Sequence, residues 1–258
     1  LWERVAAGKA LGDPLDRTLA DGRAAVVESG WYARVVEPGD AAAVEGVLYA
    51  ALGSPIDTRL DRAVHRRLSR PLSRLAVRFG FTPNQVTLAS LAVGLAAAWC
   101  FWEATVARAL AGLALYAAAV VLDHADGEVA RLTLAESTFG QRLDVVVDTV
   151  VHVALVLALG ATAQHAAGGG WLTGVVAAGG VAASAVVTKT SPSAANGGGA
   201  ATALAALGNR NGYYAMLVIF IALLAARPAT LPLLMGVIAA GCYAFWLAWL
   251  AYALTGRR

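Results

Sequence analysis

Residues 123–148 read DHADGEVARLTLAESTFGQRLDVVVD. Four aspartates, Asp123, Asp126, Asp144 and Asp148, stand here at the ends of two long apolar runs. Ionisable groups are costly inside a membrane and are kept there for a function or a partner. Asp123 and Asp126 are three residues apart and Asp144 and Asp148 four apart, so on helices each pair shares a face. Two such pairs facing each other would repel unless cations sat between them. Hard divalent ions such as Mg²⁺ or Mn²⁺ prefer oxygen ligands and keep positions open for phosphate, so the pattern points to metal-assisted phosphoryl transfer.

Between the pairs lie Gly127, Ala130, Arg131 and Gly140. Gly127 and Ala130 lack bulk, which would let a nucleotide approach the helix backbone, and Arg131 can pair bidentately with a phosphate. The full pattern, Asp-x2-Asp-Gly-x2-Ala-Arg-x8-Gly-x3-Asp-x3-Asp, resembles the signature of the CDP-alcohol phosphotransferase family, with all eight fixed positions filled. The resemblance implies a membrane enzyme that moves the phosphate-linked alcohol of a CDP-alcohol onto an acceptor hydroxyl and releases CMP. It also implies that Asp123, Asp126 and Asp144 hold divalent metal, two ions of Mg²⁺ or Mn²⁺. Asp148 would be the general base and a further metal contact. His124 and His152 fall outside the pattern and are read as structural.

Composition agrees with a membrane setting. Of the 258 residues, 59% are hydrophobic and 14% charged, against a charged fraction of about a quarter in soluble domains. Mean hydropathy is +0.63. Cys100 and Cys242 both lie in apolar runs, so no disulfide framework or thiolate metal site is indicated. The chain starts at Leu1 with no apolar leader core, so a preceding segment is expected.

Six spans are expected, at about 85–102, 106–123, 143–162, 171–188, 212–227 and 231–254, each near the roughly 20 residues a bilayer core requires. Six spans put both termini on one side. Seven arginines fall in residues 57–80, and two Lys or Arg fall in each of the 124–142 loop, the 189–211 loop and the C-terminus. The other side has Arg108 and Arg227. The positive-inside rule therefore places the aspartates and both termini on the cytoplasmic face of the cell membrane.

The arginines of residues 57–80 are Arg59, Arg62, Arg66, Arg67, Arg70, Arg74 and Arg78, interleaved with Leu60, Val64, Leu68, Leu72, Leu75 and Phe79. That spacing predicts an amphipathic helix on an anionic membrane surface, kinked at Pro71. Nucleic-acid binding, the competing reading of a basic helix, fits poorly beside a hydrophobic bundle. Thr82-Pro83-Asn84-Gln85-Val86-Thr87 then opens the first span. Thr82 and Pro83 make a good helix start, and the family resemblance implies nucleotide contacts from Asn84 and Thr87.

Residues 1–52 alone have a soluble character. A strand over 30–35, a turn at Glu37-Pro38-Gly39-Asp40 and a helix from Ala41 to Leu52 are expected, with Asp40 as N-cap. This pattern resembles the last strand and helix of a sugar-phosphate nucleotidyltransferase, a domain fused to some members of the family; a small cytoplasmic cap is the other reading. Lys189 and Arg210 flank a Gly-, Ala- and Ser-rich loop. They resemble the lysine and arginine that hold the acceptor's phosphate in the phosphatidylinositol-phosphate synthase branch, although Asn211 stands where an Asp is common.

The expected architecture is all-α. Residues 1–52 form an N-terminal segment, 53–81 a juxtamembrane amphipathic helix and 82–258 a six-helix catalytic domain. The resemblance implies a homodimer, a CDP-diacylglycerol or CDP-inositol donor, a phosphorylated polyol such as inositol phosphate as acceptor, and membrane lipid as a partner. Two competing readings are a cation transporter with the aspartates as permeation site, and a non-catalytic membrane partner.

Overall fold

The computed structural model describes residues 46, 47, 49, 52, 64–190 and 210–255, with the side chains of 186–190, 210 and 211 among those left outside the description. The chain divides into two compact units, Leu1–Ala51 and Leu52–Arg258. The strand and turn expected at 30–40 lie outside the described residues; Gly46, Val47 and Tyr49 are helical.

The second unit is all-helical. In chain order it comprises α1 (Arg66–Arg78), α2 (Pro83–Trp102), α3 (Val106–Leu132), α4 (Thr138–Ala167), α5 (Trp171–Thr190), α6 (Arg210–Ala226), a 3-10 turn at Pro228–Thr230, and α7 (Leu231–Thr255). Three of these helices, α2, α3 and α4, are long and apolar enough to cross a membrane. Three shorter apolar stretches, Trp171–Ala185, Gly212–Ala226 and Pro228–Ala244, follow them.

Local chemistry sets the boundaries. Thr82 and Gln85 form a reciprocal capping box at the start of α2: the Gln85 amide donates to Thr82 Oγ1 at 3.3 Å and the Thr82 amide to Gln85 Oε1 at 2.9 Å. Thr105 caps α3 through the Arg108 amide, and Ser137 caps α4 through the Gly140 amide at 3.0 Å. Gly168, at φ 72°, closes α4 in the left-handed conformation.

One expectation is corrected here. The sequence, with the second span ending at about 123, predicts a loop over 124–142. In the structure α3 continues through Asp126, Glu128 and Arg131 to Leu132, and α4 begins at Thr138. The connection is only residues 133–137. Polar side chains do not end a helix when other elements supply their partners, as α1 and α2 do here. Pro71 lies inside α1, which continues through it.

The core gathers Phe101 of α2, Tyr116 of α3, Leu155 and Leu159 of α4, Leu217 and Phe220 of α6, and Leu231 and Met235 of α7. Gly94 lets α2 press against α4, since a Cβ there would meet Val151 Cγ2 at 2.6 Å. A smaller cluster of Ala76, Val86, Ala125 and Val129 ties α1 and α2 to the last turns of α3. At the far end of α2, Trp99, Trp102 and Trp171 are exposed, and the rings of Trp102 and Trp171 meet edge to face with centroids 6.0 Å apart. Exposed tryptophans at one level are characteristic of a membrane–water boundary.

Candidate active site

The site lies at the end of the bundle where α2 and α4 begin and α3 finishes. Asp123 and Asp126 face inward one turn apart on α3, and Asp144 faces them from α4. One carboxylate oxygen from each lies within 4.8 Å of the others. At that separation, two ionised carboxylates repel by about 3 kcal/mol or more with an effective dielectric constant of about 20. Such a cluster is best held by a cation, and its all-carboxylate donor set suits a hard divalent ion. Asp148 lies one turn further along α4, half-buried, and is not part of this triad.

Asp126 is the most enclosed of the three, at 6% exposure. Its Oδ2 accepts a 2.6 Å hydrogen bond from Thr87 Oγ1, so the first turns of α2 orient a carboxylate of α3. Thr87 is itself buried, and its hydroxyl also lies 3.1 Å from the Pro83 carbonyl.

A cavity of about 240 Å³ opens beside the triad. Pro83, Asn84 and Thr87 line it from α2, and Asp126, Gly127, Ala130 and Arg131 from α3; Ser137, Gly140, Gln141 and Asp144 line it from the start of α4. The cavity lining therefore combines acidic side chains with the N-terminal turns of two helices. Backbone N–H groups and the helix dipole at such termini favour phosphate. Gly140 sits where the two termini converge: a Cβ there would meet Ser137 Oγ at 3.2 Å and Asn84 Oδ1 at 3.3 Å. At Gly127 an added Cβ would meet only the Arg131 guanidinium, at 3.5 Å or more. The Arg131 guanidinium lies on the cavity wall and donates from Nη2 to the Leu52 carbonyl at 3.2 Å.

The profile of the CDP-alcohol phosphatidyltransferase family matches residues 81–256. The chain belongs to this family. A CDP-diacylglycerol–serine O-phosphatidyltransferase of Mycobacterium leprae is 38% identical over 105 residues, 40% of this chain and 34% of that protein. A bifunctional IPC transferase and DIPP synthase of Thermococcus kodakarensis is 36% identical over 95 residues, 37% of this chain and 21% of that protein. The chain thus spans about a third or less of the length of these relatives. The crystal structure of Mycobacterium tuberculosis phosphatidylinositol phosphate synthase with CDP-DAG bound aligns with a TM-score of 0.56 at 18% identity, over 73% of this chain and 94% of that one. The same synthase in complex with manganese and citrate aligns with a TM-score of 0.55 at 17% identity, over 72% and 89%. At this identity the likeness concerns the fold.

Within the family motif, the structure brings together Asp123, Asp126, Gly127, Ala130, Arg131, Gly140 and Asp144, and sets Asn84 and Thr87 beside them. Lys189 is next to last in α5 and Arg210 is the first residue of α6. Their side chains lie outside the described residues, as does the loop between them. The two histidines are held by the fold. His124 Nδ1 donates to the Val120 carbonyl at 2.8 Å. His152 Nδ1 donates to the Asp148 carbonyl at 2.6 Å, which leaves Nε2 to accept from the Tyr116 hydroxyl at 3.1 Å.

Two features escaped the sequence reading. Ser137 and Gln141 line the cavity, and the Ser-x-x-Gly spacing of an N-cap was the available signal for Ser137. Glu128, an unfixed position of the motif, is fully buried against α1. Nothing in a linear pattern distinguishes it from a solvated glutamate.

Proposed function

We infer that this protein transfers the phosphate-linked alcohol of a CDP-alcohol to an acceptor hydroxyl and releases CMP. The observation that carries this reading is the triad of Asp123, Asp126 and Asp144 beside a cavity walled by Arg131 and two helix N-termini. An acidic cluster alone would repel a diphosphate; next to cationic and dipolar groups it would suit one bound together with divalent metal. Divalent metal held by the triad would supply charge neutralisation on the diphosphate and on the departing CMP.

The chain's own residues do the rest. Arg131 and the opening turns of α2 and α4 bind and orient the donor's phosphates. Gly127 and Ala130 leave room for it against α3. Asp148, on the Asp144 face of α4, takes the proton of the acceptor hydroxyl as that oxygen bonds to phosphorus and the bond to CMP breaks.

For the donor we favour CDP-diacylglycerol, supported by the serine O-phosphatidyltransferase relative and by the CDP-DAG-bound fold neighbour. CDP-inositol is the alternative, in keeping with the bifunctional relative and with the nucleotidyltransferase-like pattern at 30–52. Lys189 and Arg210 hold the phosphate of a phosphorylated acceptor in this reading. The six apolar helices α2–α7 span the cell membrane as a homodimer, with the site and both termini cytoplasmic.

Mg²⁺- or Mn²⁺-dependent CMP release by the purified protein tests the proposal. CDP-diacylglycerol and CDP-inositol would each be offered alone, with inositol phosphate and with serine. Release that requires one donor, one acceptor and metal is expected. No release from any pairing by folded, metal-loaded protein would refute these substrates.

A further inference from the structure

The outer helix α1 carries three distinct faces. With about 3.6 residues per turn, Arg66, Ser69, Ser73 and Ala76 fall on one stripe, and all four are buried. Leu68, Leu72, Leu75 and Phe79 fall on a second, exposed stripe, and Arg67, Arg74 and Arg78 on a third, also exposed. The helix therefore turns its small polar residues toward the protein and its leucines away from it. What they meet is Glu128 of α3, with no exposed surface. Glu128 Oε1 accepts from Arg66 Nη1 at 2.9 Å and from Ser69 Oγ at 2.8 Å, and Oε2 accepts from Ser73 Oγ at 2.6 Å.

A buried ion pair is a poor source of net stability, because well-packed apolar residues of the same volume do as well or better; its best-attested use is to fix register. Register is at issue here. A stripe of serine and alanine packs closely but lets one helix slide along another, and Ser69 and Ser73 repeat at one-turn spacing. Only one register gives Glu128 all three donors. Glu128 also sits two residues after Asp126, on the opposite side of the same helical turn, and one turn before Arg131. Ser73 Oγ approaches the Ala125 carbonyl at 3.4 Å, so α1 contacts the backbone of those turns as well.

We propose that Glu128 is a positioning residue: by collecting Arg66, Ser69 and Ser73 it fixes α1 against α3 and thereby sets the placement of Asp126 and Arg131 in the site. This rests on the metal reading of the triad given above. Its signature is a change in metal affinity that does not follow stability.

The experiment measures Mn²⁺ affinity by electron paramagnetic resonance, and thermal stability, on the purified full chain in lipid nanodiscs. The proteins are wild type, Glu128→Gln, the pair Arg66→Met/Glu128→Gln, and Ser73→Ala. Glu128→Gln keeps the shape but removes the carboxylate charge that faces the buried Arg66, so both stability and affinity fall, the affinity by about tenfold or more, as for other residues that orient metal ligands. The paired variant removes both charges of the ion pair, so stability returns toward wild type while affinity stays low. Ser73→Ala, the mildest change, lowers affinity in the same direction and keeps the test open if Glu128→Gln does not fold. Affinity that recovers together with stability in the pair, or that stays at the wild-type value in Ser73→Ala and Glu128→Gln, would overturn the proposal. Wild type that binds no Mn²⁺ would overturn the metal reading itself and this inference with it.

Discussion

Replacing Thr87 by valine removes the hydroxyl that donates to Asp126. The side chains have nearly the same shape, and Thr87 is 3% exposed, so packing changes little while Asp126 Oδ2 loses a donor held at 2.6 Å. A hydrogen bond to a charged group contributes about 1.5–3 kcal/mol. At about 1.4 kcal/mol per tenfold, removing it should weaken divalent-metal binding by about tenfold to a hundredfold. That is also the usual cost of removing a residue that orients a metal ligand. Calorimetric titration with Mn²⁺ reads the affinity directly. At a metal concentration far above both dissociation constants, a tenfold loss also lowers the metal-dependent stabilisation by about 1.4 kcal/mol, visible as a smaller rise in melting temperature. Thr87→Ser keeps the hydroxyl and should stay close to wild type. Affinity within twofold of wild type in Thr87→Val would refute the claim that α2 orients the triad.

Other substitutions separate the remaining roles. Asp148→Asn should abolish CMP release yet leave donor binding largely intact, because Asp148 stands outside the triad, whereas Asp126→Asn should weaken metal and donor binding together; equal loss of binding in both would remove the base assignment. Lys189→Ala and Arg210→Ala should each raise the acceptor KM with donor affinity little changed, and a selective loss of donor affinity would contradict the acceptor role. Gly94→Ala puts a Cβ 2.6 Å from Val151 Cγ2 and 2.8 Å from Cγ1, so chemical denaturation should show a loss of about 1–3 kcal/mol that Val151→Ala relieves.

The sequence made the aspartate geometry legible because helical periodicity is a strong constraint. Asp123 and Asp126 share a face only on a helix, and the structure extends the helix to hold them there. The capping residues were readable for the same reason: Thr82 acts within four residues of itself. Register between helices is a different kind of information. Glu128 meets Ser69 and Ser73 across 59 and 55 residues of chain, and no local pattern encodes that meeting. The arginine–leucine spacing of α1 did predict an amphipathic helix, but it left open which side faces the protein. Burial of the serines, with the leucines left outside, answers that.

The last ten residues of α3 then make physical sense as a helix with two polar faces. Asp126, Gly127, Ala130 and Arg131 turn toward the cavity, and Ala125, Glu128 and Val129 toward α1. A chain end so rich in charge would fray or leave the apolar phase if it stood alone, since each buried charge needs a partner. Here Glu128 has Arg66 and two serines, and Asp126 has Thr87. The carboxylates of the triad still face one another, so their mutual repulsion remains after the surrounding hydrogen bonds are made. In the proposed reaction a divalent cation would relieve that remaining repulsion, and the nearby helix N-termini and Arg131 would offset the negative charge of a diphosphate. The fold thus holds the acidic residues in place, and under the proposed function metal and substrate together would complete their charge balance.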